Sequence, residues 1–192
     1  MQNVGSRYTV ATLSHLATDT AAGVGTRRAA VVALGMIGDD RQSRYLGPAL
    51  QDSDRSVRLL AERWIWELWL KILPVSARQR LQTLWRRQAN DPSHVLRELA
   101  IWNAAATRHA VIWHLRGQAL AEIGRADEGI ESFQLAIQIN PFFFPAWSAE
   151  GDLHSLAGRV HTARQCYQTA LVIFPDLPRL RTMVAGLQGP HR

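Results

Sequence analysis

The chain has 192 residues, 47% apolar and 20% charged, a globular rather than a disordered composition with enough length to bury a core. Its 22 basic and 16 acidic side chains leave a net charge of +6 and an isoelectric point near 10.6; 21 of the 22 bases are arginine, a bias that a GC-rich genome explains as readily as nucleic-acid chemistry. The one cysteine, Cys166, excludes an intramolecular disulfide and a cysteine zinc cluster, and the absence of a secretory pattern or a bilayer-length apolar run leads us to expect a cytoplasmic protein without a membrane role.

In chain order, the first pattern is a helix over residues 27–38, amphipathic and ended by glycine, with Asp39 and Asp40 placed to cap the next helix. Gly23-Val24-Gly25 has neither the full dinucleotide-binding glycine pattern nor a preceding strand, so it reads as a turn ahead of that helix. Residues 41–51 form a second helix, interrupted near Gly47-Pro48, and Asp52-Ser53-Asp54 caps a third. Arg27 and Arg58 recur at a spacing of 31, as do Ala30 and Ala61. This succession of capping aspartate, Val-Arg and small apolar residues resembles short HEAT repeats of the phycobilisome lyase type. The resemblance implies two units, the first partial, over about residues 6–72.

The helix over 56–73 carries Leu59, Leu60, Trp64, Ile65, Trp66, Leu68, Trp69 and Leu70 on nearly every face. Such a helix is expected to be buried on both sides as a junction; its three tryptophans in six residues also fit an exposed ligand groove. Residues 78–89 then predict a helix with Leu81, Leu84 and Trp85 on one face. Asn90-Asp91-Pro92 is a turn with proline suited to a helix start, and Val95, Leu99 and Trp102 follow at helical spacing.

From residue 110 one motif is written twice with a period of 34. Trp113 recurs as Trp147, Gly117 as Gly151, Phe133 as Tyr167, Ala136 as Ala170 and Pro141 as Pro175. Gly124 and Gly158 fall at the same phase, where a glycine ends one helix before the next begins. Each unit is therefore a helical hairpin. The pattern resembles the tetratricopeptide repeat, with Ala163 fitting as well. It departs from that consensus at Arg116 and Glu150, where a leucine is usual, at Leu120 and His154, where a tyrosine is usual, and at Gly129. Residues 76–109 then read as a degenerate third unit, and residues 178–187 as a capping helix with a polar outer side.

The resemblances imply an all-α fold, an α-solenoid of stacked antiparallel helix hairpins: HEAT-like repeats over 1–74, a degenerate hairpin over 75–109, repeats over 110–143 and 144–177, and a C-terminal capping helix and tail over 178–192. Charge concentrates in residues 76–109, which carry +4 against +2 before them and 0 after. Arg80, Leu84 and Arg87 share a face by spacing. In tetratricopeptide proteins that face commonly lines a concave groove, and the same register adds His114, Gln118, Ser148 and Asp152. The arginines are equally read as a solvated surface. The lysine and asparagine clamp by which some relatives hold a C-terminal carboxylate is absent.

No catalytic set emerges. The seven histidines do not form a metal-binding pair with an intervening glutamate, Asp152, His154 and Ser155 are neighbours only in sequence, and Asp52-Ser53-Asp54 lacks the other ligands of a calcium loop. Cys166 reads as a small buried residue. The expectation is a non-enzymatic scaffold without cofactor or metal, binding a protein or peptide partner, an acidic one if the arginine face takes part. The alternative is a nucleic-acid-binding HEAT-like protein, acting on DNA bases, with tryptophans that stack on bases.

Overall fold

The computed structural model describes residues 8–38, 45–71, 73–102 and 108–187. Among these the fold is all-α, of the helical-repeat kind: helices and turns with no strand. The chain divides into two compact units, one holding residues 1–72 with Ile173–Asp176, the other residues 73–172 and 177–192.

In the first unit α1 (Val10–Thr18) packs on α2 (Val24–Ile37), and α2 on α3 (Arg55–Lys71), with a 3₁₀ turn (Pro48–Gln51) against α3. Thr9 caps α1 by accepting from the Thr12 amide at 3.1 Å. Contrary to the sequence expectation, Val24 and Gly25 are not a turn but the opening of α2, with Gly23 at the cap position and no side-chain cap. The expected helix over 41–51 is, from Tyr45 onward, a short helical turn leading into the 3₁₀ turn; Gly47-Pro48 ends the regular pattern. The Asp39 and Asp40 cap lies outside the described residues.

Asp54 does cap α3, accepting from the Ser56 amide at 2.8 Å. Asp52 has a different task. Arg27 is buried on α2, and its guanidinium grips the Asp52 carboxylate with two bonds, 2.7 and 3.0 Å, while also donating to the Ala22 carbonyl at 2.6 Å. Arg58 repeats this arrangement 31 residues on, with two bonds to Asp176, which belongs to the same unit, and one to the Asp52 carbonyl. Nearby, a methyl group on Gly35 would fall 2.1 Å from the Trp64 ring, so this glycine lets α2 lie flat against the indole of α3.

The helix rich in tryptophan is not buried all round. Its buried stripe is Val57, Ala61, Ile65, Leu68 and Trp69, at the spacing of one helix face, whereas Leu59 is 38% exposed and Trp64 and Trp66 are half-buried. Trp66 and Trp69 shield part of each other in an edge-on contact, with ring centroids 5.2 Å apart.

The second unit begins with α4 (Val75–Arg87) and α5 (Pro92–Ala100). Asp91 caps α5, accepting from the His94 amide at 2.9 Å. This helix stops at Ala100 instead of continuing to Trp102 as the periodicity suggested. The repeat proper is α6 (Ala110–Glu122), α7 (Ala126–Ile139), α8 (Phe144–Leu156) and α9 (Val160–Ile173), followed by α10 (Pro178–Gly186), which buries Leu180. Each of α5 to α7 packs on the next, and α6 also reaches α8, the solenoid manner of stacking.

Two details make the 34-residue period physical. Gly124 and Gly158 have φ of +79° and +71°. Around them the Arg125 amide bonds to the Leu120 carbonyl and the Arg159 amide to the His154 carbonyl, both at 2.9 Å, closing each first helix with the same left-handed cap. Inside the hairpins, a methyl group on Gly117 would sit 2.6 Å from the Phe133 ring, and one on Gly151 would sit 2.6 Å from the Tyr167 ring. Both rings are fully buried, and each is worth roughly 2–3 kcal/mol of apolar burial.

Gly117→Ala and Gly151→Ala should each destabilise the protein by about 1–3 kcal/mol, because overpacking against a fixed ring outweighs the gain in helix propensity. Gly25→Ala, with nothing within 4 Å, should not. Urea unfolding followed by circular dichroism measures all three. The Asp52 carboxyl is opposed by burial, but its bonds to Arg27 and to the Asp54 amide win and hold it below the ordinary value of 3.8. Its stabilisation is therefore complete above about pH 4 and is lost as pH falls through the depressed value. Asp52→Asn should lower stability at pH 7 and flatten that acid limb in the same denaturation assay.

Candidate functional site

The seven residues predicted to line a groove do not share one environment. Arg80 and Arg87 are exposed on α4, but Arg80 already pairs with Glu98 of α5, its Nε donating at 2.8 Å. That bond is the main reason the Glu98 carboxyl lies below its ordinary value. Leu84 shares their side by spacing, yet it is buried at 2% exposure, since the leucine seeks the core while the arginine stems carry their charge outward. It lines no surface.

His114 is the second correction. It is 3% exposed, inside a cage formed by the rings of Trp85, Phe133 and Phe143 at centroid distances of 5.8, 5.4 and 5.3 Å. Its Nδ1 has no hydrogen-bond partner. Burial pushes its pKa down to about 3, so the ring is neutral and serves as a packing aromatic. A position facing a groove in the resembled family is here turned into core by the surrounding rings.

Gln118 and Ser148 are half-buried. The Gln118 Oε1 atom is itself buried and has no hydrogen-bond partner, a free acceptor at the expected register. Asp152 is partly exposed, but its carboxylate accepts from the Tyr167 hydroxyl at 2.8 Å and from Arg179 of α10 at 2.7 Å. Burial first, then the bond to Asp152, raises the Tyr167 phenol above its usual range. Beside the paired Arg80, Arg87 thus remains the exposed member of the predicted set, with Gln118 and Ser148 half-buried. Cys166 is buried, its thiol pushed up to about 12 by burial and the charge of Glu150, and inert as a nucleophile.

Beside these residues the second unit opens an apolar cleft of about 520 Å³ that the sequence did not reveal. Leu96 and Leu99 of α5, Ile112, Trp113 and Leu120 of α6, and Leu135 of α7 form its walls, with Trp102 and the arginines Arg116 and Arg125. Arg116 lies over the Trp113 ring at 5.5 Å and donates to the Ser132 hydroxyl at 2.7 Å, which fixes a positive charge at an otherwise apolar wall. The Trp102 indole nitrogen is buried without a partner. Arg116 was legible as a departure from the repeat consensus; the cleft itself depends on how α5 meets α6.

Residues 110–143 match the family described as tetratricopeptide repeat. Repeats of this family generally mediate protein–protein interaction. A 76-residue stretch, 40% of this chain, is 32% identical to protein O-mannosyl-transferase TMTC1 of Homo sapiens, and 81 residues are 28% identical to the Mus musculus protein of that name. In each case the match spans only 9% of the relative's length. An uncharacterized protein of Methanocaldococcus jannaschii is 27% identical over 66 residues, 34% of this chain and 77% of that one. No helix among the described residues is long and apolar enough to cross a membrane.

Because the folded His114 has a pKa below that of a free imidazole, its contribution to stability is intact above about pH 6.5 and declines as pH falls from there toward 3. His114→Phe should remove a slope of about 1.4 kcal/mol per pH unit in that window. Denaturation at pH 7, 5.5 and 4.5 checks it; an unchanged slope contradicts the buried neutral ring.

Proposed function

We propose that the protein is a non-enzymatic interaction scaffold whose second unit holds a peptide or protein segment. The apolar cleft beside the tetratricopeptide repeat carries this reading. It offers aliphatic and indole walls for an apolar anchor, and Arg116 for a carboxylate or backbone carbonyl next to that anchor, while Arg125 at its edge is paired with Glu128. Arg87, Gln118 and Ser148 extend the polar contacts on the first helices of the hairpins, with Arg80 recruited once it leaves Glu98. The exposed Arg87 and the net +4 of residues 76–109 support an acidic partner segment. We read the first unit as HEAT-like; its support is the shared structural role of Arg27 and Arg58 at a spacing of 31.

Leu96→Glu places a charge in the cleft wall, and Arg80→Glu with Arg87→Glu reverses the charge of α4. In affinity purification from the native host, either change should weaken partner capture about tenfold, the cost of one apolar anchor or a reversed steering charge. Retention of every partner by both variants rejects the reading. Binding of a generic DNA duplex with a steep salt dependence would replace it with a nucleic-acid function.

A further inference from the structure

Three side chains with metal-ligating atoms meet in the α8–α9 hairpin: Glu150 and His154, one turn apart on α8, and Cys166 on α9. Their donor atoms all lie within 4.8 Å of one another, and Glu150 Oε1 is 3.5 Å from His154 Nε2. Glu150 and Cys166 are buried at 6% and 5% exposure, and the His154 side chain retains 12%.

The preceding hairpin provides an internal comparison. The positions 34 residues earlier hold Arg116, Leu120 and Ser132, where a guanidinium bonds directly to the hydroxyl at 2.7 Å. The second hairpin has exchanged that cation for an acid, an imidazole and a thiol. Among the described residues no arginine or lysine is bonded to that acid. Arg159 Nε donates to His154 Nδ1 at 2.8 Å, which leaves Nε2 as the ring nitrogen turned toward Glu150. Glu150 is left with that imidazole and the Gln134 amide, which donates to Oε1 at 3.1 Å. A buried acid with no arginine or lysine bonded to it is a position that a bound metal ion can complete.

We infer that Glu150, His154 and Cys166 form a binding site for a single divalent transition-metal ion, with Zn²⁺ the best chemical match. Thiolate and imidazole select Zn²⁺ or Co²⁺ over Mg²⁺ and Ca²⁺, and the two anionic ligands balance the ion's charge. Tetrahedral zinc with bonds of about 2.0–2.3 Å sets its ligand atoms roughly 3.3–3.7 Å apart. The Glu150–His154 separation already meets this, and the widest separation needs to close by about an ångström, within reach of side-chain rotation. Gln134 orients the carboxylate from α7. The Cys166 thiol gives its proton to solvent on ligation, and water completes the coordination. An imidazole bound to metal through Nε2 carries its proton on Nδ1, the atom to which the exposed Arg159 now donates, so Arg159 must move away. Arg159 therefore competes with the ion.

The test uses the full chain without an affinity tag, stripped by a chelator and titrated with Co²⁺. The expected result is one equivalent bound, with a thiolate-to-cobalt charge-transfer band, tetrahedral visible absorption and displacement by Zn²⁺. Cys166→Ser should abolish the charge-transfer band. His154→Gln, at the better exposed ligand, should weaken binding at least tenfold with the circular dichroism spectrum unchanged. Arg159→Ala should tighten binding several-fold. A cobalt spectrum without the thiolate band, or a Cys166→Ser variant that binds as well as the parent, overturns the site; an Arg159→Ala variant with unaltered affinity overturns Nε2 as the ligand atom.

Discussion

Two glycines pressed against two aromatic rings govern how the second unit is built. Gly117 faces Phe133 and Gly151 faces Tyr167, each with room for a hydrogen atom and none for a methyl group. Because the first helix of a hairpin can approach so closely, the ring of the second is enclosed on all sides. The left-handed caps at Gly124 and Gly158 then return the chain at the same angle each time. The placement of Trp113 and Arg116 beside the cleft, and of Glu150 and His154 beside Cys166, follows from that geometry.

Within this frame, the arginines Arg27, Arg58 and Arg116 are held by specific partners, while Gln118 Oε1 and the Trp102 indole nitrogen are left without one. Arg27 and Asp52 are both nearly buried and satisfy one another with two bonds, and Arg58 does the same with Asp176. Arg116 reaches Ser132 and rests over an indole. His114 solves the problem differently, by giving up its charge among three rings. Glu150 stands out against these, since it keeps company with an amide, an imidazole and a thiol. That contrast, rather than the presence of ligating residue types alone, separates the α8–α9 cluster from an ordinary buried network.

The two proposed activities use different parts of the repeat. The cleft lies on α5, α6 and α7 and offers shape and apolar area, as an interaction module does. The ligand cluster lies on α8 and α9 and offers coordination chemistry. A metal there would cross-link the two helices of one hairpin and stiffen it, without altering the cleft walls. Helical-repeat architecture is compatible with both, because its stacking is set by small and aromatic residues and leaves the remaining positions free to vary.

The amino-acid order by itself determined the class of fold and the second hairpin pair, since a 34-residue period with glycine, aromatic, alanine and proline at fixed phases has one economical solution in helices. It also determined the Asp54 and Asp91 caps, which are local bonds between neighbours in the chain. The recurrence of Arg27 and Arg58 was visible as well, though not its meaning, because Asp52 and Asp176 lie 25 and 118 residues away. Only the tertiary structure decided that Leu84 and His114 face the core, that Arg80 is occupied by Glu98, and that α5 and α6 part to leave a cleft. It alone brought Cys166 to Glu150 and His154. Helical spacing states which residues share a face, but whether a face meets water, a ring or another charge depends on the neighbouring helices, and their approach is set by packing that no single stretch encodes.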